Sequence, residues 1–356
     1  MKNRLERAKE EIEKKGFEAI LISQEVNVRY LSGFCASHSG SNLLITPERQ
    51  YLLTDFRFLE QARRQAPQFI LYQWKHPTER DVLELVREEG IRKMALEDSI
   101  PFSRYRKLKE SLTQVELCPL RGFIEKFRQV KDQEELERIR EAADINDKVF
   151  PQLLAMIEVG AREIDIANEL EYVIKKMDAQ GVGFETVIAS GTRSSMPHAV
   201  ATDKRICQGD MIKIDFGSVC QGYHSDMTRM ATVGEPSEKL MEIYNIVLEA
   251  QLRALEEVRP GQECRKVDRV ARAVIEEKGY GSSFGHGVGH GVGLEIHEAP
   301  RLSPTSNGLL EEGMVITIEP GIYLPGFGGV RIEDLVYVKK DGGEIISQTP
   351  KELYVL

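Results

Sequence analysis

No run of this chain approaches the roughly 20 consecutive apolar residues that a membrane-spanning helix requires, so no membrane partner is expected. The opening stretch, MKNRLERAKEEIEKKG, is charged and lacks an apolar centre, which argues against a secretory signal. Cysteine is scarce and unpatterned: Cys35, Cys118, Cys207, Cys220 and Cys264 are odd in number, far apart and form no C-x-x-C pair. That excludes a disulfide framework and a thiolate zinc knot, and leads us to expect reduced thiols in a cytoplasm. An excess of positive charge is missing too. The formal net charge is -9 and the acidity is spread along the chain, so nucleic acid is not an expected partner. There is no low-complexity tract and no obvious flexible linker. No G-x-G-x-x-G follows the first strand-like run, which leaves a dinucleotide site unsupported.

What remains is an ordinary globular composition, 41% hydrophobic and 29% charged, over 356 residues, a length that favours two domains over one core. Residues 1–122 read as an α/β domain. Leu5, Ala8, Ile12 and Phe17 mark the stripe of an opening helix; FEAILIS reads as a buried strand, and SNLLITPE with QYLLTDF as a hairpin. Helices and strands then alternate through RFLEQARRQ, FILYQW, ERDVLELVREEG, KMALED and YRKLKESL, without a catalytic constellation. Residues 123–356 carry long amphipathic helices. The first is VKDQEELERIREAADINDKVF, with Asp132 and Glu135 placed for a capping box, and the last ends at Gly279. Two helix pairs alternate with two strand groups, which suggests a pseudo-repeat.

The strand groups hold four carboxylates and a histidine: Asp215 in MIKIDFG, Asp226 in YHSDMTR, His290 in GHGVGHGVG, Glu319 in VITIEPG and Glu333 in VRIED. Each acid lies in an apolar run, where a charge is costly unless neutralised; two divalent cations would bring four carboxylates to neutrality. A hairpin turn at Gln221-Gly222 pairs residue 215 with 228, and a turn at Cys220-Gln221 sets 215 opposite 226. Either register aims both aspartates the same way. Taken alone, the two aspartates also read as solvent-facing acids on an edge hairpin, either glutamate reads more readily as a surface acid beside a turn, and the alternative for His286, His290 and His297 is a surface cluster that binds metal weakly. As a set without thiolates they suit Mn²⁺ or Co²⁺ and tolerate Zn²⁺ or Fe²⁺. Two such cations lower the pKa of a shared water, which is the chemistry of amide hydrolysis.

The ordered motifs IDFG, HSDMTR, GHGVGHGVGLEIHE, VITIEPGIY and VRIED resemble the Xaa-Pro peptidases, prolidase and aminopeptidase P. The likeness covers about residues 122–356 and extends weakly to NVRYLSGF and LLTDFRFLEQA. It implies an α+β chain in which an amino-terminal α/β domain precedes a pita-bread (creatinase/aminopeptidase-like) catalytic domain. It also implies that Asp215 holds one metal, that Asp226 and Glu333 bridge two, and that His290 and Glu319 hold the second. His198 would lie near the substrate's proline and His297 would stabilise an oxyanion. Glu319 would also shuttle a proton, with Arg331 and Tyr323 supporting the site and His286 lining the pocket. Proline-containing dipeptides or short peptides are the expected substrates and a homodimer the expected assembly. The shortness of the chain tilts the expectation to an Xaa-Pro dipeptidase over aminopeptidase P. A methionine aminopeptidase would not need the preceding domain. A metal-free creatinase-like or peptide-binding module would not need all five ligands.

Overall fold

Leu5, Ala8 and Ile12 are buried along one side of helix Lys2–Lys14, as their spacing predicts. In the computed structural model, which describes residues 2–36, 38–75 and 78–356, this helix belongs to a unit that ends at Arg128; a second unit runs Gln129–Leu356. The first unit is built on a mixed six-stranded sheet. Its strands lie in the order Ile70–Gln73, Gln50–Thr54, Asn42–Ile45, Ala19–Ile22, Lys93–Glu97 and Glu116–Leu120. The expected hairpin is present, Asn42 facing Leu53 and Ile45 facing Gln50. Ala19–Ile22 and Lys93–Glu97 run parallel at the centre and are almost wholly buried, which explains their unbroken apolar composition. Two elements carry no periodic signal in the sequence: helix Glu25–Ser32, closed by Gly33 at φ 80°, and strand Glu116–Leu120.

The second unit has two halves of the same make. Helix Gln133–Leu154 starts from the expected capping box: the Asp132 side chain accepts from the Glu135 N–H, and the Glu135 side chain accepts from the Asp132 N–H. With helix Glu163–Lys176 it covers a sheet of Tyr354–Val355, Met227–Thr232, Met211–Phe216 and Val187–Ser190. Val149, Leu153, Leu170 and Ile174 pack there with Ile188, Ile212 and Ile214. In the other half, helices Glu238–Glu256 and Cys264–Glu277 cover Glu298–Leu302, Gly289–Gly291, Val315–Ile318, Asp334–Lys339 and Gly342–Ile345. Ile243, Val247, Val267 and Ala271 pack there with Ile316, Ile318 and Val336. Each fully buried aliphatic side chain contributes about 1.5–3 kcal/mol, so each half has a core of its own. The sheets meet at an isolated bridge between Thr228 and Glu333.

Candidate metal centre

Gln221 and Gly222 sit at φ 45° and 78°, the successive left-handed residues that a tight hairpin needs. From this turn the arms run back in one register, Val219 facing His224 and Asp215 facing Thr228. Of the two registers open in the sequence, this is the Gln221-Gly222 one. Alternation then puts Asp215, Thr228 and Asp226 on one face. The arms are not continuous strands. One breaks at Gly217, where a Cβ would lie 1.9 Å from the Ser225 carbonyl oxygen; the other breaks at residues 225–226. Asp226 therefore stands just outside strand Met227–Thr232.

The second half contributes in the same manner. Glu319 directly follows strand Val315–Ile318, and Glu333 directly precedes strand Asp334–Lys339. At the bridge, Thr228 Oγ1 donates to Glu333 Oε2 at 2.6 Å, and the Glu333 N–H donates to the Thr228 carbonyl at 3.2 Å. His290 lies within strand Gly289–Gly291. Its glycine neighbours are a steric requirement: a Cβ at 289 would meet Thr317 O at 2.0 Å, and one at 291 would meet Ala299 O at 2.4 Å. Close approach of the two adjacent strands thus explains the alternating glycines.

One donor atom from each of Asp226, His290 and Glu333 lies within 4.8 Å of the others. His290 Nε2 is also 3.4 Å from Glu319 Oε1. Its Nδ1 is 3.0 Å from the Gly291 carbonyl, which can only accept, so the proton sits on Nδ1 and Nε2 keeps its lone pair toward the acids. Burial lowers the pKa of His290 and favours this neutral form. Asp215 is held differently: Arg331 contacts its Oδ2, while its Oδ1 is buried with no hydrogen-bond partner.

Burial, and after it the surrounding carboxylates, raise Asp226 and Glu333 well above the ordinary carboxylate range. Arg331 opposes this in both but is a single charge facing four acids. Oxygen-rich donors, one neutral imidazole, an orphaned Asp215 oxygen and acids short of positive charge are what divalent cations fit.

All five residues line one cavity of 1220 Å³, together with His198, His286, His297, Tyr323 and Arg331. His286 Nδ1 is 2.8 Å from the Gly287 carbonyl, so its Nε2 accepts from the Tyr323 hydroxyl at 3.0 Å. Burial pushes the Tyr323 hydroxyl up to about 12, and it keeps its proton. Arg331 is committed to protein acceptors: Nε to Thr228 Oγ1 at 3.0 Å, Nη1 to Pro197 O at 3.2 Å and to the Tyr323 hydroxyl at 3.3 Å, and Nη2 to Asp215. The His297 ring stands 4.4 Å from that of His290, centroid to centroid, and burial lowers its pKa.

Residues 137–340 match Metallopeptidase family M24, and residues 4–130 match the Creatinase/Prolidase N-terminal domain. The chain belongs to metallopeptidase family M24. A Xaa-Pro dipeptidase of Pyrococcus horikoshii is 40% identical over 356 residues, 99% of either chain. Among solved structures, a Xaa-Pro dipeptidase from Bacillus anthracis matches with a TM-score of 0.96 at 44% identity, over 100% of this chain and 99% of that one. An X-Pro aminopeptidase from Thermotoga maritima matches at 0.93 and 38% identity, over 99% of each chain.

As an M24 member the protein is a peptidase that works with divalent metal, and the acids described above are where this chain can hold it. Two further residues of the M24 domain did not stand out in the sequence. Arg301 lines the cavity, and its side chain makes no hydrogen bond or ion pair among the described residues. Lys213 is buried two residues before Asp215; burial and the nearby Arg331 push it down to about 7, against the opposing charge of Asp215. Its one signal was a lysine inside the apolar run MIKIDF.

Proposed function

We propose that the protein is a dinuclear-metal Xaa-Pro dipeptidase, a prolidase. The gathering of Asp226, His290 and Glu333 with Asp215 and Glu319 in one cavity, beside His198 and His297, carries this reading. Relatives named Xaa-Pro dipeptidase over almost the whole chain support the substrate. In the proposal, residues 1–122 form the amino-terminal domain and residues 123–356 do the chemistry. Asp215, Asp226, His290, Glu319 and Glu333 would hold two cations, with Asp226 and Glu333 as the ligands shared between them; manganese or cobalt would suit this donor set. When bound, the pair supplies Lewis acidity, acidifying water and polarising a carbonyl.

The chain's own groups do the rest. A Glu319 oxygen takes the proton of the attacking water and delivers it to the proline nitrogen, which has no N–H and must be protonated to leave. Neutral His297 donates an imidazole N–H to the developing oxyanion. His198 meets the substrate near its proline. Arg331 holds Asp215 and Tyr323, and Tyr323 orients His286 along the pocket. Arg301 lines the cavity without an ion-pair partner among the described residues and takes the carboxylate that follows proline in a dipeptide.

The test is kcat/KM for Ala-Pro, Ala-Pro-Ala and Ala-Ala after chelation and reloading with Mn²⁺ or Co²⁺. The proposal expects no activity without metal and preference for Ala-Pro. Efficient tripeptide cleavage with little on Ala-Pro would select aminopeptidase P, the reading favoured by the likeness to the Thermotoga maritima enzyme. Full activity in metal-free protein would sink the mechanism, and a protein that takes up no metal would be a creatinase-like or peptide-binding module. The proposal also takes the enzyme as a cytoplasmic homodimer. Its five free cysteines agree with a reducing compartment, and light scattering tests the dimer.

A further inference from the structure

Lys213 stands in a strand otherwise suited to burial. Met211–Phe216 is buried throughout, and Lys213, 0% exposed, faces Ala189 and Met230 on the adjoining strands. It makes no ion pair among the described residues. Its Nζ donates instead to three carbonyl oxygens, those of Ser194 at 3.2 Å, Met196 at 2.6 Å and Pro197 at 3.0 Å. An ammonium has three donors, and all three are used. The Pro197 carbonyl also accepts from Arg331. Nζ lies 5.3 Å from the centroid of the Tyr323 ring, so the lysine sits against the cavity wall.

These carbonyls belong to the segment that leads directly into His198. Glu163, fully buried, holds the two ends of the same segment. It accepts from the Ser190 N–H at 2.8 Å, from Ser190 Oγ at 2.7 Å, from Arg193, from the Thr202 N–H at 3.2 Å and from Thr202 Oγ1 at 3.0 Å. Glu163 therefore fastens the loop at Ser190, where it leaves the sheet, and again at Thr202 beyond His198, and Lys213 fastens the stretch between. A charge buried in a central strand is costly unless fully hydrogen-bonded. An apolar residue would satisfy the strand but would leave three carbonyls without their donor.

We propose that Lys213 is a positioning residue: by holding the carbonyls of Ser194, Met196 and Pro197 it sets where His198 enters the cavity. The inference rests on the peptidase reading, in which His198 meets the substrate.

The experiment compares metal-loaded wild type, Lys213→Met, His198→Ala and the double variant. It reads kcat and KM for Ala-Pro, metal content, and hydrogen exchange of residues 194–200. Lys213→Met is expected to lower kcat/KM about ten- to a hundred-fold, the scale of a misplaced active-site group. Exchange across 194–200 should rise while metal content stays unchanged. In the His198→Ala background the same change should cost less than about two-fold, because the group being positioned is gone. Where His198→Ala itself loses activity, equal fold-losses in both backgrounds would overturn the proposal, and in every case so would unchanged exchange at 194–200. Should Lys213→Met fail to fold, Lys213→Gln, which keeps two donors, is read in the same way. Loss of metal from both variants would also overturn it, since the lysine would then be supporting Asp215. Raised exchange together with a fully active His198→Ala would leave the positioning intact and remove His198 from the reaction.

Discussion

Asp215 has a guanidinium on one oxygen, whereas Asp226 has only the neutral His290 within ion-pair reach. Asp226→Asn should therefore lose metal and turnover more completely than Asp215→Asn, as metal analysis of the two variants would show; near-normal metal in the first would reassign the bridge. His297→Ala should keep its metal while losing about 10²–10³ in kcat, the usual loss for one oxyanion donor. Arg301→Ala should raise KM for Ala-Pro by roughly ten- to a hundred-fold, the worth of one charged hydrogen bond, and affect Ala-Pro-Ala less. An unchanged KM would mean that other donors take the carboxylate. Burial pushes the Cys264 thiol up to about 11, whereas Cys207 is exposed. At pH 8 only about a thousandth of Cys264 would be thiolate, so a thiol reagent should modify Cys207 in the native protein and reach Cys264 only on unfolding. At this scale the sequence was readable for the two-fold alternation around Asp215, which lies inside a strand, but Asp226, Glu319 and Glu333 stand just outside theirs, where alternation alone decides nothing. The sequence was silent on partners. The pairing of Asp215 with Arg331 joins residues 116 apart, and no local pattern shows that Arg301, which also lines the cavity, has no ion-pair partner among the described residues.

The hairpin through Asp215 and Asp226 could be placed from sequence only to within two registers, and the left-handed pair Gln221-Gly222 selects the one in which Asp215 faces Thr228. The capping box at Asp132 was equally plain, its signal being confined to four adjacent residues. Helix Glu25–Ser32 was hidden. It is eight residues long and buries Asn27 and Ser32 beside Val28, Tyr30 and Leu31, so it shows no polar face from which a period could be read. The glycine ladder announced that something approaches its backbone, but that this is the carbonyls of two flanking strands appears only in the fold. Gly289→Ala should consequently destabilise by about 1–3 kcal/mol, the range for overpacking. Denaturant unfolding would measure it, and a loss under about 0.5 kcal/mol, the scale of a neutral surface change, would show that the strands can part.

At the scale of the molecule, alternating elements in the first unit and paired helices in the second were both legible, since each rests on periods that composition preserves. What could not be read was how the two halves of the second unit share one site: a backbone bridge joins Thr228 to Glu333, Arg229 reaches across it to Asp334, and Arg331 reaches back to Asp215. Each half has its own helix pair and core, and the acids from both converge at the seam. Four acids buried together there, Asp226 and Glu333 held toward their protonated forms, make the closed seam costly, and a bound cation reverses that. Calorimetry of chelated protein should show broad, separable endotherms that merge into one sharper transition at higher temperature on reloading. Identical endotherms would mean that the buried bonds of Arg229 and Arg331 join the halves without help from metal. The seam then gives the metal a second consequence, for a molecule starved of its cation would open more often and be degraded sooner. The lifetime of the protein, and not its rate alone, would follow the metal supply of the cell.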